Sequence, residues 1–179
     1  MIIQKFTVHT RTSIYPIFTK RKGCFTGNMV IKITDALEKE KIASHILNAL
    51  PDWFGLPDST ASYITNSKNM PFWAYYQEKE AVGFISLKET SAYTAEIYVM
   101  GVLKEYHRLG VGRALWEAFL SCARNQRYEF IQVKTVQKGH YKEYDQTNSF
   151  YEALGFRELE CLPTLWDAQN PCQIYVMKI

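Results

Sequence analysis

The sequence predicts an α/β (α+β) fold, a central mixed sheet of about six to seven strands with helices on both faces. Three observations carry this. Strand-like and helix-like segments follow one another in the order β-α-α-β-β-β-α-β-α-β-β from Met29 onward. Thr94 to Phe119 reads as strand, glycine turn and helix: Ile97, Tyr98 and Val99 sit in a β-branched and aromatic run, and Leu115, Phe119 and Leu120 recur at helical spacing after Gly110 and Gly112. FIQVKTV, Phe130 to Val136, follows that helix, so a right-handed crossover sets it parallel to the strand at 95–102.

Taken in order, residues 1–28 hold Lys5, Arg11, Lys20, Arg21 and Lys22 and no acid. They are read as a basic, peripheral N-terminal extension, either a transit-peptide-like segment or, preferably, an appendage from an upstream start, with the compact domain spanning 29–179. MVIKIT is a strand. Asp35 with Glu38 three residues on signals a helix N-terminus, and Leu37, Ile42, Ala43, Ile46, Leu47 and Leu50 trace an apolar stripe that Pro51 stops. Pro51 to Ser59 is expected as a loop carrying Trp53, Phe54 and Leu56, with a short helix over about 60–66. Phe72–Gln77 and Ala81–Glu89 form a hairpin about Glu78, Lys79 and Glu80. After the strand at 95–102 comes the helix from Gly110 to about Asn125, then the strand at 130–136. Gln137 to Gln146 is read as loop, Thr147 to Leu154 as a helix ended by Gly155, and RELECL and QIYVMKI as strands joined by a loop that carries Trp166.

At 179 residues, with 47% hydrophobic and 22% charged, the chain suits one globular domain. No apolar run approaches the roughly 18 residues of a membrane span, so a soluble protein with no membrane partner is expected. The formal charge of +3 comes from the extension, since removing its five bases leaves 16 bases against 18 acids. That distribution argues against a nucleic-acid partner. Cys24, Cys122, Cys161 and Cys172 show no paired spacing and are read as free thiols of a cytoplasmic protein, and the scattered histidines argue against a metal.

The glycine turn is where chemistry is expected. Without side chains at Gly110 and Gly112 the backbone comes close to a ligand, and the free N–H groups of the helix's first turn favour an anion such as a diphosphate. The surrounding HRLGVGRAL resembles the acyl-CoA-binding motif, Q/R-x-x-G-x-G/A, of the GNAT (Gcn5-related N-acetyltransferase) superfamily, with His107 in place of Gln or Arg. TNSFYEALGF, Thr147 to Phe156, resembles that superfamily's other helix motif. The resemblance runs from about Met29 to the C-terminus and implies the GNAT fold and an acetyl-CoA-dependent N-acetyltransferase. It also implies direct attack by a primary amine in a ternary complex, the amine belonging to a small molecule or a peptide. The donor-binding residues expected are Met100, Val102, His107, Arg108, Leu109, Gly110, Val111, Gly112, Arg113, Asn148 and Tyr151.

An ammonium with a pKa near ~10.4 must lose a proton before it attacks. Glu96, eleven residues before His107, matches the general-base glutamate of some superfamily members; its other reading is a strand-end glutamate facing solvent or paired with a lysine. Tyr151 matches the superfamily tyrosine that protonates the leaving thiolate, its other reading being a core tyrosine. Asn148 shares its helical face and is assigned to the pantetheine or phosphate end; Tyr144 is a further candidate. The amide of Met100 is the candidate for stabilising the thioester oxygen.

For the acceptor, Asp52, Asp58 and Glu96 with Trp53, Phe54, Trp73 and Trp166 compose an acidic aromatic mouth suited to a polyamine or a sugar amine, or else they are core and rim. A non-catalytic acyl-CoA-binding or partner-binding module of the same fold is the alternative function, another nucleotide-binding domain a third, and a homodimer is compatible with all of them.

Overall fold

The computed structural model describes residues 28–179. Residues 1–27 of the basic extension, with Cys24, lie outside the described residues, and Asn28 is the first residue of β1. The elements run β1 (Asn28–Ile33), α1 (Ala36–Asn48), α2 (Pro57–Ser67), β2 (Phe72–Gln77), β3 (Glu80–Ser91), β4 (Thr94–Val102), a single 3-10 turn at Lys104–Tyr106, α3 (Val111–Asn125), β5 (Phe130–Val136), α4 (Lys142–Leu154), β6 (Arg157–Asp167) and β7 (Asn170–Lys178). One seven-stranded sheet has the order β1-β2-β3-β4-β5-β7-β6. Only β4 and β5 pair in parallel, as the crossover through α3 requires.

Side-chain alternation along the strands divides the core into two layers. Phe72, Ala74, Val82 and Phe84 pack with Ile42, Ile46 and Leu47 of α1, while their neighbours Trp73, Ile85 and Leu87 pack with Leu115 and Phe119 of α3. The α1 register is set by Asp35, whose Oδ1 accepts the Glu38 N–H at 2.7 Å, a cap worth about 1 kcal/mol.

Several boundaries differ from the sequence reading, and one residue leaves its stripe. α2 starts at Pro57, because proline at the first helical position gives up an N–H that has no partner there anyway. α4 starts five residues early at Lys142, with Glu143 and Asp145 favourably placed in its first turn. β6 and β7 form a long hairpin that takes in Pro163 to Asp167; β6 is an edge strand, where a proline without its N–H is tolerated. Leu37 does not belong to the α1 stripe, being 66% exposed.

One irregularity opens the sheet. β3 and β4 pair Leu87 with Ile97 and Ser86 with Val99, so Tyr98 is an extra residue, a bulge. Ile97 consequently faces α3 while Val99 faces α1. The β4–β5 ladder ends at Ile97↔Val133, although β4 runs on to Val102 and β5 to Val136. Beyond the bulge the two strands separate.

Candidate active site

The gap between the separated strands is a cleft of about 1310 Å³, larger than the roughly 300–1,000 Å³ usual for a drug-sized ligand. Its floor is Ile97 to Val102 and Val133 to Val136, and its walls come from the loop after α1, from α2, from the turn into α3, from α4 and from the β6–β7 hairpin end.

At one end lies the turn into α3. Arg108 and Gly110 have left-handed φ values of 61° and 84°, and Leu109 between them does not. Alternation of this kind turns successive N–H groups toward one concavity. From Arg108 to Arg113 no backbone amide has a hydrogen-bond partner among the described residues; the first that does is Ala114, to the Gly110 carbonyl at 3.0 Å. Gly112 supplies the close approach, for a Cβ there would stand 3.3 Å from the Phe150 ring and 3.4 Å from Met100 Cε. Side chains in this stretch divide accordingly. His107, Arg108 and Arg113 line the cleft, whereas Val111, the first residue of α3, is buried in the core and Leu109 is 67% exposed, outside the cleft. His107 Nε2 lies 2.7 Å from the Val102 carbonyl oxygen, so the residue that departs from Gln or Arg ties the turn to the end of β4.

The open edge of β4 follows from its ladder. Leu103 N–H donates to the Val82 carbonyl, and alternation then directs Gly101 toward β3 and the backbone groups of Met100 and Val102 away from it, to the side that β5 has left. Tyr151 reaches the cleft from α4 with only 6% of its surface exposed. Burial pushes its phenol well above the ordinary range, with the Tyr144 and Tyr63 hydroxyls adding to the effect. Its hydroxyl has no hydrogen-bond partner among the described residues. Tyr144 donates to the Trp53 carbonyl at 2.6 Å, and burial pushes it up to about 12.

Asn148 lies outside the cleft lining. It is fully buried, its Nδ2 donating to the Val136 carbonyl at 3.0 Å and the Tyr144 carbonyl at 2.7 Å, so it fixes α4 on the end of β5. Its Oδ1 and the Thr135 hydroxyl are buried without partners, and Thr135 lines the cleft. Glu96 is also outside the lining. It is 6% exposed, and its Oε2 accepts from Lys134 Nζ at 2.5 Å and from Gln132 at 2.6 Å, the lysine pairing that the sequence reading held open. Lys134, not Glu96, lines the cleft.

The expected acidic mouth needs correction. Trp73 belongs to the core beneath α3, 6% exposed and edge-on to Phe119, because β2 alternation turns it away from the cleft. Asp58 sits in the first turn of α2 and does not line the cleft. Asp52 does, but it is ion-paired with Lys104. Trp53, Phe54 and Trp166 line the cleft as expected; Trp53 donates to Thr147 Oγ1 at 3.1 Å and joins the loop to α4. Lys134, Thr135, Tyr63 and Tyr98 are cleft residues that sequence reasoning passed over. For Lys134 a signal existed, since the polar Gln132 and Lys134 alternate with Ile131 and Val133 along the strand.

Among the described residues no helix is long and apolar enough to cross a membrane, and no group of three or more His, Cys, Asp or Glu is placed to hold a metal ion. A search of curated proteins returns no match. Residues 34–162 match the sequence profile described as "Acetyltransferase (GNAT) domain". Solved structures with the same fold include Ard1 from Thermoplasma volcanium, at 20% identity and TM-score 0.67, covering 85% of this chain and 97% of that one. The ribosomal-protein-S18-alanine N-acetyltransferase from Escherichia coli matches at 18% and 0.67, covering 86% and 94%. A GNAT family acetyltransferase from Elizabethkingia anophelis with acetyl-CoA bound matches at 15% and 0.65, covering 85% and 98%. With its sheet opened behind the bulge at Tyr98 and its amides bared before α3, this chain belongs to the GNAT acetyltransferase family.

Proposed function

We propose that the protein is an acetyl-CoA-dependent N-acetyltransferase acting on a primary amine by direct attack in a ternary complex. The observation that carries this is the run of unpartnered amides from Arg108 to Arg113 opening onto a cleft that Tyr151 also lines. The residues present fit the donor. Backbone N–H groups at the start of α3 bind a diphosphate, Arg108 and Arg113 add positive charge, and the room that Gly112 leaves is room a side chain would fill. Met100 and Val102 offer backbone groups to the amides of a pantetheine arm, and the Thr135 hydroxyl is a buried polar group still lacking a partner. Asn148 contributes by holding α4 in place, not by contact.

When bound, acetyl-CoA supplies the thioester that the amine attacks. The Met100 N–H stabilises negative charge on the carbonyl oxygen. Tyr151, kept protonated by burial, holds a proton for the departing sulfur. Glu96 acts as a positioning residue through Lys134, and rate acceleration comes mainly from orientation of an amine that sheds its proton to water. Turnover of acetyl-CoA by purified protein across a panel of amines tests the reading: acetylated amine with release of CoA supports it, while CoA binding without product from any amine favours the non-catalytic module.

A further inference from the structure

Three carboxylates line the cleft among the described residues, and only Asp52 is ion-paired, to Lys104. Asp145 accepts from the Gly139 N–H at 2.7 Å and Asp167 from the Gln169 and Asn170 N–H groups at 2.9 Å, bonds that orient these carboxylates and leave their charge in place. Two of the aromatic rings already face the protein's own cations. Lys104 Nζ lies 5.7 Å from the Trp53 centroid and Lys88 Nζ 5.5 Å from that of Tyr98. Lys134 adds a lining ammonium, 29% exposed and balanced by the buried Glu96. A second or third ammonium on the acceptor would meet Lys134 and Lys142 in the lining as well as Asp145 and Asp167, so charge alone selects no polycation. The lining also offers apolar surface: Phe54 and Tyr63 in edge contact at 6.0 Å, and Leu165 and Trp166 of β6, 50% and 41% exposed.

We propose that the acceptor is a monoamine carried on an aromatic body, which Phe54, Tyr63 and Trp166 enclose, and that such an amine is preferred to a polyamine. This rests on the acetyl-transfer reading above. An aromatic body gains from burying its ring against these side chains and from offset or edge contacts with them. A polyamine has no ring to bury there.

The test compares 2-phenylethylamine, butylamine and spermidine in two measurements, kcat/KM with acetyl-CoA and calorimetric binding to CoA-saturated protein. Phenylethylamine is expected to exceed spermidine by at least about tenfold in both, with butylamine between them. Trp166→Ala, at an exposed position, is expected to lower the phenylethylamine values severalfold and leave those for spermidine within about twofold. Lys104→Gln frees Asp52 and is expected to raise the spermidine-to-phenylethylamine ratio by about threefold, the size of a part-exposed ion pair. Spermidine equal to or better than phenylethylamine, or no binding of phenylethylamine to CoA-saturated protein, overturns the inference while leaving the donor site standing. Failure of CoA itself to bind removes the donor site, and with it both readings.

Discussion

At the α3 end of the cleft the groups that face a ligand are six backbone amides with no partner among the described residues, whereas elsewhere in the lining they are side chains already bonded within the protein, Asp52 to Lys104 and Asp145 and Asp167 to backbone N–H groups. The first end is fixed by chain direction and two glycines, and it suits one kind of guest, an anion. The second is fixed by which side chains happen to meet there, so its preference changes with single substitutions. On the reading proposed above, the donor takes the first end and the acceptor the second.

The sharpest way to break the contrast is at Gly112. Gly112→Asp pushes a Cβ against Phe150 and Met100 and a carboxylate toward the diphosphate, and should weaken CoA binding by about a hundredfold or more in calorimetry. Circular dichroism should show an intact fold. Binding unchanged by this substitution would place the donor elsewhere.

Next in size is Tyr151→Phe, expected to cut kcat by about 10² with little change in CoA affinity. Burial raises the Tyr151 phenol, so its protonated form persists across the neutral range and its loss of a proton comes only above the ordinary tyrosine pKa. Rate profiles of wild type and variant should therefore have the same shape below about pH 10. A basic limb near pH 8 that disappears in Tyr151→Phe would contradict this assignment.

Glu96→Gln separates a base from a support. With Lys134 already on Glu96, kcat is expected to fall less than tenfold, the acidic limb of the profile should persist, and urea denaturation should show a loss of about 1 kcal/mol. Disappearance of the acidic limb with a drop of about 10² would restore Glu96 as the direct base. The smallest effect is expected at the departing motif position: His107→Gln keeps a donor for the Val102 carbonyl and should leave CoA affinity within about threefold.

The same division explains what could be read in the sequence. The strand–glycine–helix unit was legible because local backbone chemistry dictates it, as were the β4–β5 crossover and the Asp35 cap. Gly155, at φ 104°, ends α4 where the sequence placed it. The acceptor end was not legible, because it depends on contacts between residues far apart in the chain. Asp52 meets Lys104 across 52 positions, and Glu96 meets Lys134 across 38. Trp73 was misassigned for a related reason: an aromatic residue in a hairpin strand faces one layer or the other according to register, and register is a property of the sheet. Nothing local marked the bulge at Tyr98, although it opens the cleft on which the site depends.

The claim that the bared amides before α3 form the donor site is tested most directly by comparing the affinities of CoA and pantetheine for the wild-type protein by calorimetry. The two ligands share the arm that β4 would meet and differ in the diphosphate and nucleotide. The account predicts that CoA binds at least about a hundredfold more tightly, and that the difference shrinks as salt is raised. Equal affinity for the two would contradict it.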